Sequence, residues 1–135
     1  MSRARTAMSC HFSKRLDGPF DRAVSRVTEA LKCEGFGLLT DIDVNATMKA
    51  KLGEEFRPYR ILGACNPQLA HRALMLEDKI GTMLPCNVIV QQHADGAVEV
   101  SAVDPIASMQ AIGNPGLAEV AKEVQARLKR VVDGL

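Results

Sequence analysis

Apolar residues recur at intervals of three and four along much of the chain, which is the spacing of helices that bury one side. The predicted helices cover residues 20–34, 44–52, 68–84, 105–112 and the segment from 115 to the C-terminus. Three of them follow an Asn-Pro or Asp-Pro pair, whose first members are Asn66, Asp104 and Asn114. These pairs predict helix starts, because Asn or Asp caps the free amides of the first turn and proline suits the first helical position.

Between the helices the pattern changes to alternation or to short apolar runs, which is typical of β-strands. The predicted strands cover residues 11–16, 36–44, 57–65, 86–93 and 97–103. The turn at Asp95-Gly96 predicts that the last two strands pair as an antiparallel hairpin. We therefore expect an α+β fold, a two-layer sandwich in which helices cover one face of a mixed, mainly antiparallel sheet. Residues 14–135 are predicted to form this single domain after a flexible N-terminal tail at residues 1–13.

Charge and composition argue against nucleic acid and membranes as partners. Seventeen Lys and Arg residues against sixteen Asp and Glu residues leave a formal charge of +1, too small an excess to neutralise a phosphate backbone. No apolar run approaches the roughly 20 residues that cross a bilayer, and the N-terminus carries no recognisable secretory signal. The four cysteines lie far apart with no C-x-x-C pair. These features predict a cytoplasmic protein with reduced thiols.

The strongest candidate for chemistry is the junction that contains Cys65, Asn66 and His71. Cys65 ends a predicted strand directly before a helix N-terminus, whose amides and dipole would lower the pKa of its thiol. His71 follows about one turn into the helix, so the pair offers the residue types that a covalent nucleophile and its base require. Structural explanations are also available, because a buried free cysteine packs as a small hydrophobe, Asn66 caps the helix and His71 can face solvent.

The sequence does not predict a metal site. Cys65, His71 and Cys86 together would offer ligand types that zinc accepts. A helical crossover between parallel strands, however, would leave Cys65 and Cys86 at opposite edges of the sheet, because one ends its strand and the other begins the next. Asp41 and Asp43 are explained as residues on the solvent-facing side of a strand. The common phosphate-binding and hydrolase motifs are absent from the sequence.

Several long segments in the same order give the chain a resemblance to a known family. The run PYRILGACNPQLAHRAL, together with EGFGLLTDIDVNATMKAKLG, LPCNVIV and SAVDP, resembles the bacterial and archaeal proteins grouped as domain of unknown function 302. The resemblance extends from about Leu16 onward. It implies a β-α-β-β-β-β-α fold with added helices, similar in outline to the TATA-binding-protein-like class. It implies no activity or cofactor, and likeness in fold to a nucleic-acid binder does not transfer function.

Three hypotheses for function follow from these observations. The first is a small-ligand or redox-linked binding protein with its site around Cys65, Asn66 and His71, completed at a homodimer interface. The second is an enzyme in which Cys65 is the nucleophile and His71 the base. The third is a homodimeric protein-interaction module without catalysis, which would use an exposed sheet edge or apolar patch. The sequence identifies no substrate, ligand or cofactor for any of them.

Overall fold

Five antiparallel strands form the sheet of this protein, whose computed structural model describes residues 10–135. The strands are β1 (His11–Leu16), β2 (Gly37–Asp43), β3 (Tyr59–Cys65), β4 (Cys86–Gln92) and β5 (Val98–Val103). Their order across the sheet is β1-β5-β4-β3-β2, so β1 and β2 form the edges and β3 lies inside. Every neighbouring pair among the described strands is antiparallel. The expected α+β sandwich with a mainly antiparallel sheet is confirmed.

Strand β1 occupies the residues 11–16 that the sequence predicts as a strand, and it overlaps the segment 1–13 that was predicted as a tail. Its residues from His11 to Leu16 lie opposite β5 residues from Val103 to Val98. His11, Phe12 and Ser13 therefore belong to the sheet, although they fall in the segment predicted as a tail. Pairing with β5 gives this short polar segment an ordered conformation that its own sequence pattern signals only weakly. The rest of the predicted tail, residues 1–9, lies outside the described residues.

The helices are placed so that two of them cover one face of the sheet. They are α1 (Phe20–Cys33), α2 (Val44–Leu52), α3 (Pro67–Leu76), α4 (Pro105–Met109) and α5 (Pro115–Asp133). Helix α1 packs against β2 and β4, and α5 packs against β1 and β5. The apolar stripe of α5 is fully buried, as its periodicity predicts. No helix among residues 10–135 combines the length and hydrophobicity that crossing a bilayer requires.

The helix starts that the sequence predicts are confirmed by their hydrogen bonds. The Asn66 side chain accepts a hydrogen bond from the Leu69 amide at 3.2 Å, and Pro67 is the first residue of α3. Asp104 and Asn114 cap α4 and α5 in the same way. Each cap satisfies amides that would otherwise lack a partner, so the direction in which the chain leaves β3 and β5 is fixed by local sequence.

The single helix predicted over residues 68–84 is wrong. Helix α3 ends at Leu76, Glu77 is extended with φ −151° and ψ 105°, and a 3₁₀ helix follows at Asp78–Met83. The Glu77 side chain accepts a hydrogen bond from the Lys79 amide, which stabilises the new start. The break allows Ile80 to be completely buried while Leu76 remains 44% exposed, whereas one continuous helix would hold both on one side.

Candidate functional site

The junction between β3 and α3 places Cys65 and Asn66 at one end of the hydrophobic core. Cys65 is the last residue of β3 and is half-buried. Asn66 is only 9% exposed, and its side-chain oxygen is used by the cap of α3. The local sequence Cys-Asn-Pro therefore fixes where the strand ends and holds the cysteine at the margin of the core.

The sheet brings a second thiol to this junction, which corrects the expectation from the sequence. Strands β3 and β4 are antiparallel neighbours, and Cys86 lies directly opposite Ala64, the residue before Cys65. The start of β4 and the end of β3 therefore share one edge of the sheet, not opposite edges. Both cysteines are free, and they are close enough for charge on Cys65 to raise the pKa of Cys86.

A small cavity lies between these strands and the helices. Its volume is about 30 Å³, and its lining includes Cys65, Cys86 and the thioether residue Met109. The remaining wall is almost entirely apolar, with Phe36 and Leu69 among its residues. A cavity of this size holds a water molecule or a single ion, whereas organic ligands occupy pockets of roughly 300–1,000 Å³. The geometry therefore restricts any ligand at the two thiols to a very small one.

The environment of the thiols contradicts the lowered pKa predicted for Cys65. Burial raises the pKa of the Cys65 thiol, and burial together with the nearby Cys65 raises the pKa of Cys86 to about 11. The apolar lining disfavours a thiolate. The Leu69 amide, which would favour one, donates its hydrogen bond to Asn66 instead. Both thiols are consequently protonated at neutral pH in the folded protein.

His71 does not belong to this cavity. Leu69 and Ala73 form the buried side of α3, and His71 is two residues from each. Two residues correspond to about 200° around a helix, so His71 faces away from the core and is exposed. No hydrogen bond joins Cys65 to His71 in the described part of the chain. The structure thus brings Cys65 and Asn66 together with Cys86 and Met109, and it leaves His71 apart.

Two of these residues were missed by reasoning from the sequence. Cys86 was considered only as a remote thiol, and correct pairing of β3 with β4 would have placed it at the junction. Met109 ends the five-residue helix α4, and no pattern in its neighbourhood signals a role. Its position depends on how α4 packs onto α5, which is a long-range feature of the fold.

The opposite face of the sheet carries a row of polar side chains. The Ser13 and Ser101 hydroxyl groups are joined by a hydrogen bond of 2.7 Å, and Ser13 is 3.3 Å from Nδ1 of His11. Farther along, His93 and Glu99 are 2.9 Å apart. Part of this row lines an open groove of about 590 Å³. These polar side chains form hydrogen bonds with one another, as cross-strand pairs on the helix-free side of a sheet commonly do.

The paired carboxylates noted in the sequence also have structural partners. Asp41 binds the Arg60 guanidinium through two hydrogen bonds, of 2.7 and 2.5 Å. Asp43 caps α2 by accepting from the Ala46 amide at 3.0 Å. Neither arrangement leaves a pair of free carboxylates for acid–base chemistry, so the explanation by a strand surface and a helix cap accounts for both.

Comparisons with known proteins agree with the geometry of the fold. The family model described as domain of unknown function DUF302 matches residues 12–135. A crystal structure of an uncharacterized conserved DUF302 protein from Bacillus stearothermophilus superimposes with a TM-score of 0.85 and 31% sequence identity. The match covers 91% of this chain and 95% of that one. No curated protein matches the sequence.

Proposed function

We propose that this chain, which belongs to the DUF302 family, is a binding protein for a very small ligand held in the cavity between Cys65 and Cys86. One observation carries the proposal. The antiparallel pairing of β3 with β4 brings Cys65 and Cys86 to the same end of the sheet, and both residues are among those that line the 30 Å³ cavity. Cys86 is buried beside this space and Cys65 lies at its margin, so the size of the space, more than its shape, would select the ligand.

The same environment argues for binding and against catalysis. A cysteine nucleophile acts as a thiolate, but burial raises the pKa of both thiols. A general base must also reach the nucleophile, and His71 lies on the exposed side of α3. Protonated, partly shielded thiols are in addition slow to react with oxidants. The enzyme hypothesis and a primarily redox role therefore receive less support than simple binding. A cytoplasmic location fits the free state of the cysteines.

Native thiol labelling tests whether the cavity admits a small ligand. The folded protein is treated with methyl methanethiosulfonate, and modified cysteines are located by peptide mass spectrometry. Cys65 is expected to react in the folded protein because part of the residue is exposed to solvent. Cys86 is only 8% exposed, so it should react fully only after unfolding. Cys33 is exposed on α1 and serves as the internal control. A Cys65 that stays unmodified while Cys33 reacts would show that the cavity is closed, and the proposal would fail.

Self-association is a second candidate function, supported by the edge strand β2. Leu39 is 66% exposed and Ile42 is 46% exposed on this strand. Apolar side chains on an open sheet edge are typical of sites where a second chain pairs. Light scattering across a concentration series tests the homodimer. Ile42→Lys should abolish dimers, whereas Leu74→Lys, which changes an exposed residue of α3, should leave them intact. A monomer at all concentrations would remove this candidate.

A further inference from the structure

We infer that Ser13 and His11 form a nucleophile–base pair that accepts the acyl group of a small uncharged ester, on the face of the sheet opposite α1 and α5. The Ser13 hydroxyl lies 3.3 Å from Nδ1 of His11 and 2.7 Å from the Ser101 hydroxyl. All three residues line the open groove of about 590 Å³. Acyl transfer through serine requires a hydroxyl beside an imidazole, and enzymes without substrate often hold this pair slightly beyond an ideal hydrogen bond. The groove is separate from the cavity at Cys86, so the inference goes beyond the proposed function and does not depend on it.

The pairing of β1 with β5 builds this arrangement. Ser13 lies directly opposite Ser101, and His11 is two residues before Ser13 on the same strand. Because side chains alternate along a strand, His11 and Ser13 point to the same side of the sheet. The three side chains are therefore positioned by the backbone hydrogen bonds of two strands, which hold a site more precisely than a loop does.

The burial of Ser101 sets the direction of the hydrogen bonds. Ser101 is 8% exposed, and a buried hydroxyl hydrogen that lacks an acceptor is costly. Within residues 10–135, the acceptor that its side chain meets is the Ser13 oxygen. Ser101 thus donates to Ser13, and Ser13 directs its own hydrogen to Nδ1 of His11. This direction assigns His11 the neutral tautomer whose Nδ1 can take the proton of Ser13.

The lining of the groove favours an uncharged substrate with a short aliphatic part. The volume of the groove falls within the roughly 300–1,000 Å³ of pockets that hold organic ligands. Ile89 and Val103 supply apolar surface, and the side-chain amides of Asn87 and Gln91 can donate hydrogen bonds to ester oxygens. Among the described residues of the lining none is Lys or Arg, and Glu99 is acidic. A carboxylate or phosphate would therefore lack the cationic partner that such groups require.

The reaction transfers the acyl group in two steps. The Ser13 oxygen forms a bond to the carbonyl carbon while the Ser13 proton moves to Nδ1 of His11, and the bond from that carbon to the alcohol oxygen breaks. His11 then gives the same proton to the departing alkoxide, which leaves as an alcohol. Water attacks the acyl-serine, returns one proton through His11 to the Ser13 oxygen and releases the acyl group as a carboxylic acid.

Reaction with 4-nitrophenyl acetate tests the inference on the full chain. Absorbance follows the release of 4-nitrophenolate, and peptide mass spectrometry after acid quenching locates and quantifies the acetyl group. The wild-type protein is expected to be acetylated at Ser13, and Ser13→Ala should remove this adduct. His11→Gln should slow the acetylation of Ser13 by about 10²–10⁴-fold, which is the usual contribution of a general base.

Ser101 is a positioning residue, and two substitutions separate its hydroxyl from its packing. Ser101→Ala removes the hydrogen bond to Ser13 and should slow the acetylation of Ser13 by about tenfold or less, the effect of one neutral hydrogen bond. Ser101→Thr keeps the hydroxyl and should restore the rate, whereas a role in packing alone would not distinguish the two in this way. An unchanged rate in Ser101→Ala would overturn the direction assigned to the hydrogen bonds.

Matched variants on the helices separate this pair from general surface reactivity. Ser25→Ala changes an exposed serine of α1, and His71→Gln changes an exposed histidine of α3. Both variants should be acetylated at Ser13 as fast as the wild-type protein, and thermal unfolding checks that every variant is folded. Cys10 also lines the groove, so an acetyl group found there and not on Ser13 would overturn the inference. Acetylation of Ser13 at an unchanged rate in His11→Gln would overturn it as well.

Discussion

The two faces of the sheet are built from the same strands but have opposite characters. On one face, Leu62, Val88 and Val100 are completely buried against the helices. On the other face, the intervening residues Ile61 and Ile89 are only half-buried and lie beside hydrogen-bonded polar side chains. We call these the covered face and the outer face. Cys86 and Met109 lie at the end of the covered layer. Cys65, one residue beyond the covered Ala64, alternates to the other face of β3 at the end of the strand, and the serine and histidine row lies on that outer face.

The difference between the two faces shows which side of the sheet shields its side chains from solvent. Helices α1 and α5 pack across one side of the sheet. On that side the core margin holds Cys86, Met109 and the hydrogen-bonded Asn66, and uncharged sulfur costs little to transfer from water. On the outer face, His93 and Glu99 are partly exposed and bind each other, and the buried Ser101 hydroxyl is satisfied by Ser13. Cys86 and Met109 therefore stay buried only while the helices cover that side of the sheet. The polar groups of the outer face do not require such a cover.

Replacing neighbouring residues of β3 tests this contrast with the largest expected effect. Leu62→Ala should lower the free energy of unfolding by about 2–5 kcal/mol, because it opens a void among completely buried side chains. Ile61→Ala, on the outer face, should cost about 1 kcal/mol or less, since half its side chain already meets solvent. Urea unfolding measures both. Equal losses would mean that a second chain covers the outer face in solution.

A glycine on the outer face marks a point where that face is tightly packed. A Cβ added at Gly63 would clash with the Thr40 hydroxyl and lie 2.8 Å from Cγ of Pro85. Gly63→Ala should therefore cost about 1–3 kcal/mol through local overpacking. Gly37→Ala is the matched control, because nothing lies within 4 Å of its added Cβ. Its stability should be unchanged or slightly higher. A neutral Gly63→Ala in urea unfolding would show that both Thr40 and Pro85 can move away freely.

Much of the fold could be predicted because its signals are local. The periodicity of α5, the three capped helix starts and the hairpin at Asp95-Gly96 depend on residues close in sequence. The break at Glu77 could not be predicted, because it is stabilised by the burial of Ile80 in a core assembled from distant segments. The local pattern favours one continuous helix, but tertiary packing, which buries Ile80, outweighs that local preference.

The candidate site was predicted only in part for the same reason. Cys65 and Asn66 were identified from a local motif, and their positions at the strand end and helix cap follow from it. The structure places the candidate base His71 on the exposed side of α3, because Leu69 and Ala73 form the buried side of that helix. Cys86 and Met109 reach the cavity through strand pairing and helix packing, which no short motif encodes.

The pair of Asp41 and Arg60 shows where the covered layer ends. Asp41 lies opposite Leu62 in the register of β2 and β3, so both belong to the covered face. Yet the side chain of Asp41 is 38% exposed and that of Arg60 is 27% exposed. The hydrogen bonds from Arg60 lower the pKa of Asp41 below its ordinary value, although partial burial opposes them. At this edge a charged pair takes the place that aliphatic side chains occupy farther inside.

The smallest expected effect is the pH dependence of this pair. Because the folded pKa of Asp41 is below its unfolded value of about 3.9, the pair stabilises the protein above that pH and loses its effect as the pH falls through the folded pKa. Asp41→Asn should cost about 0.2–1 kcal/mol at neutral pH, as exposed pairs do, and nothing in strong acid. Urea unfolding at both pH values measures this, with Asp78→Asn, whose side chain is 81% exposed, as the control. A deficit that persists in acid would mean that Asp41 acts through packing, and the covered layer would then extend to the edge of the sheet.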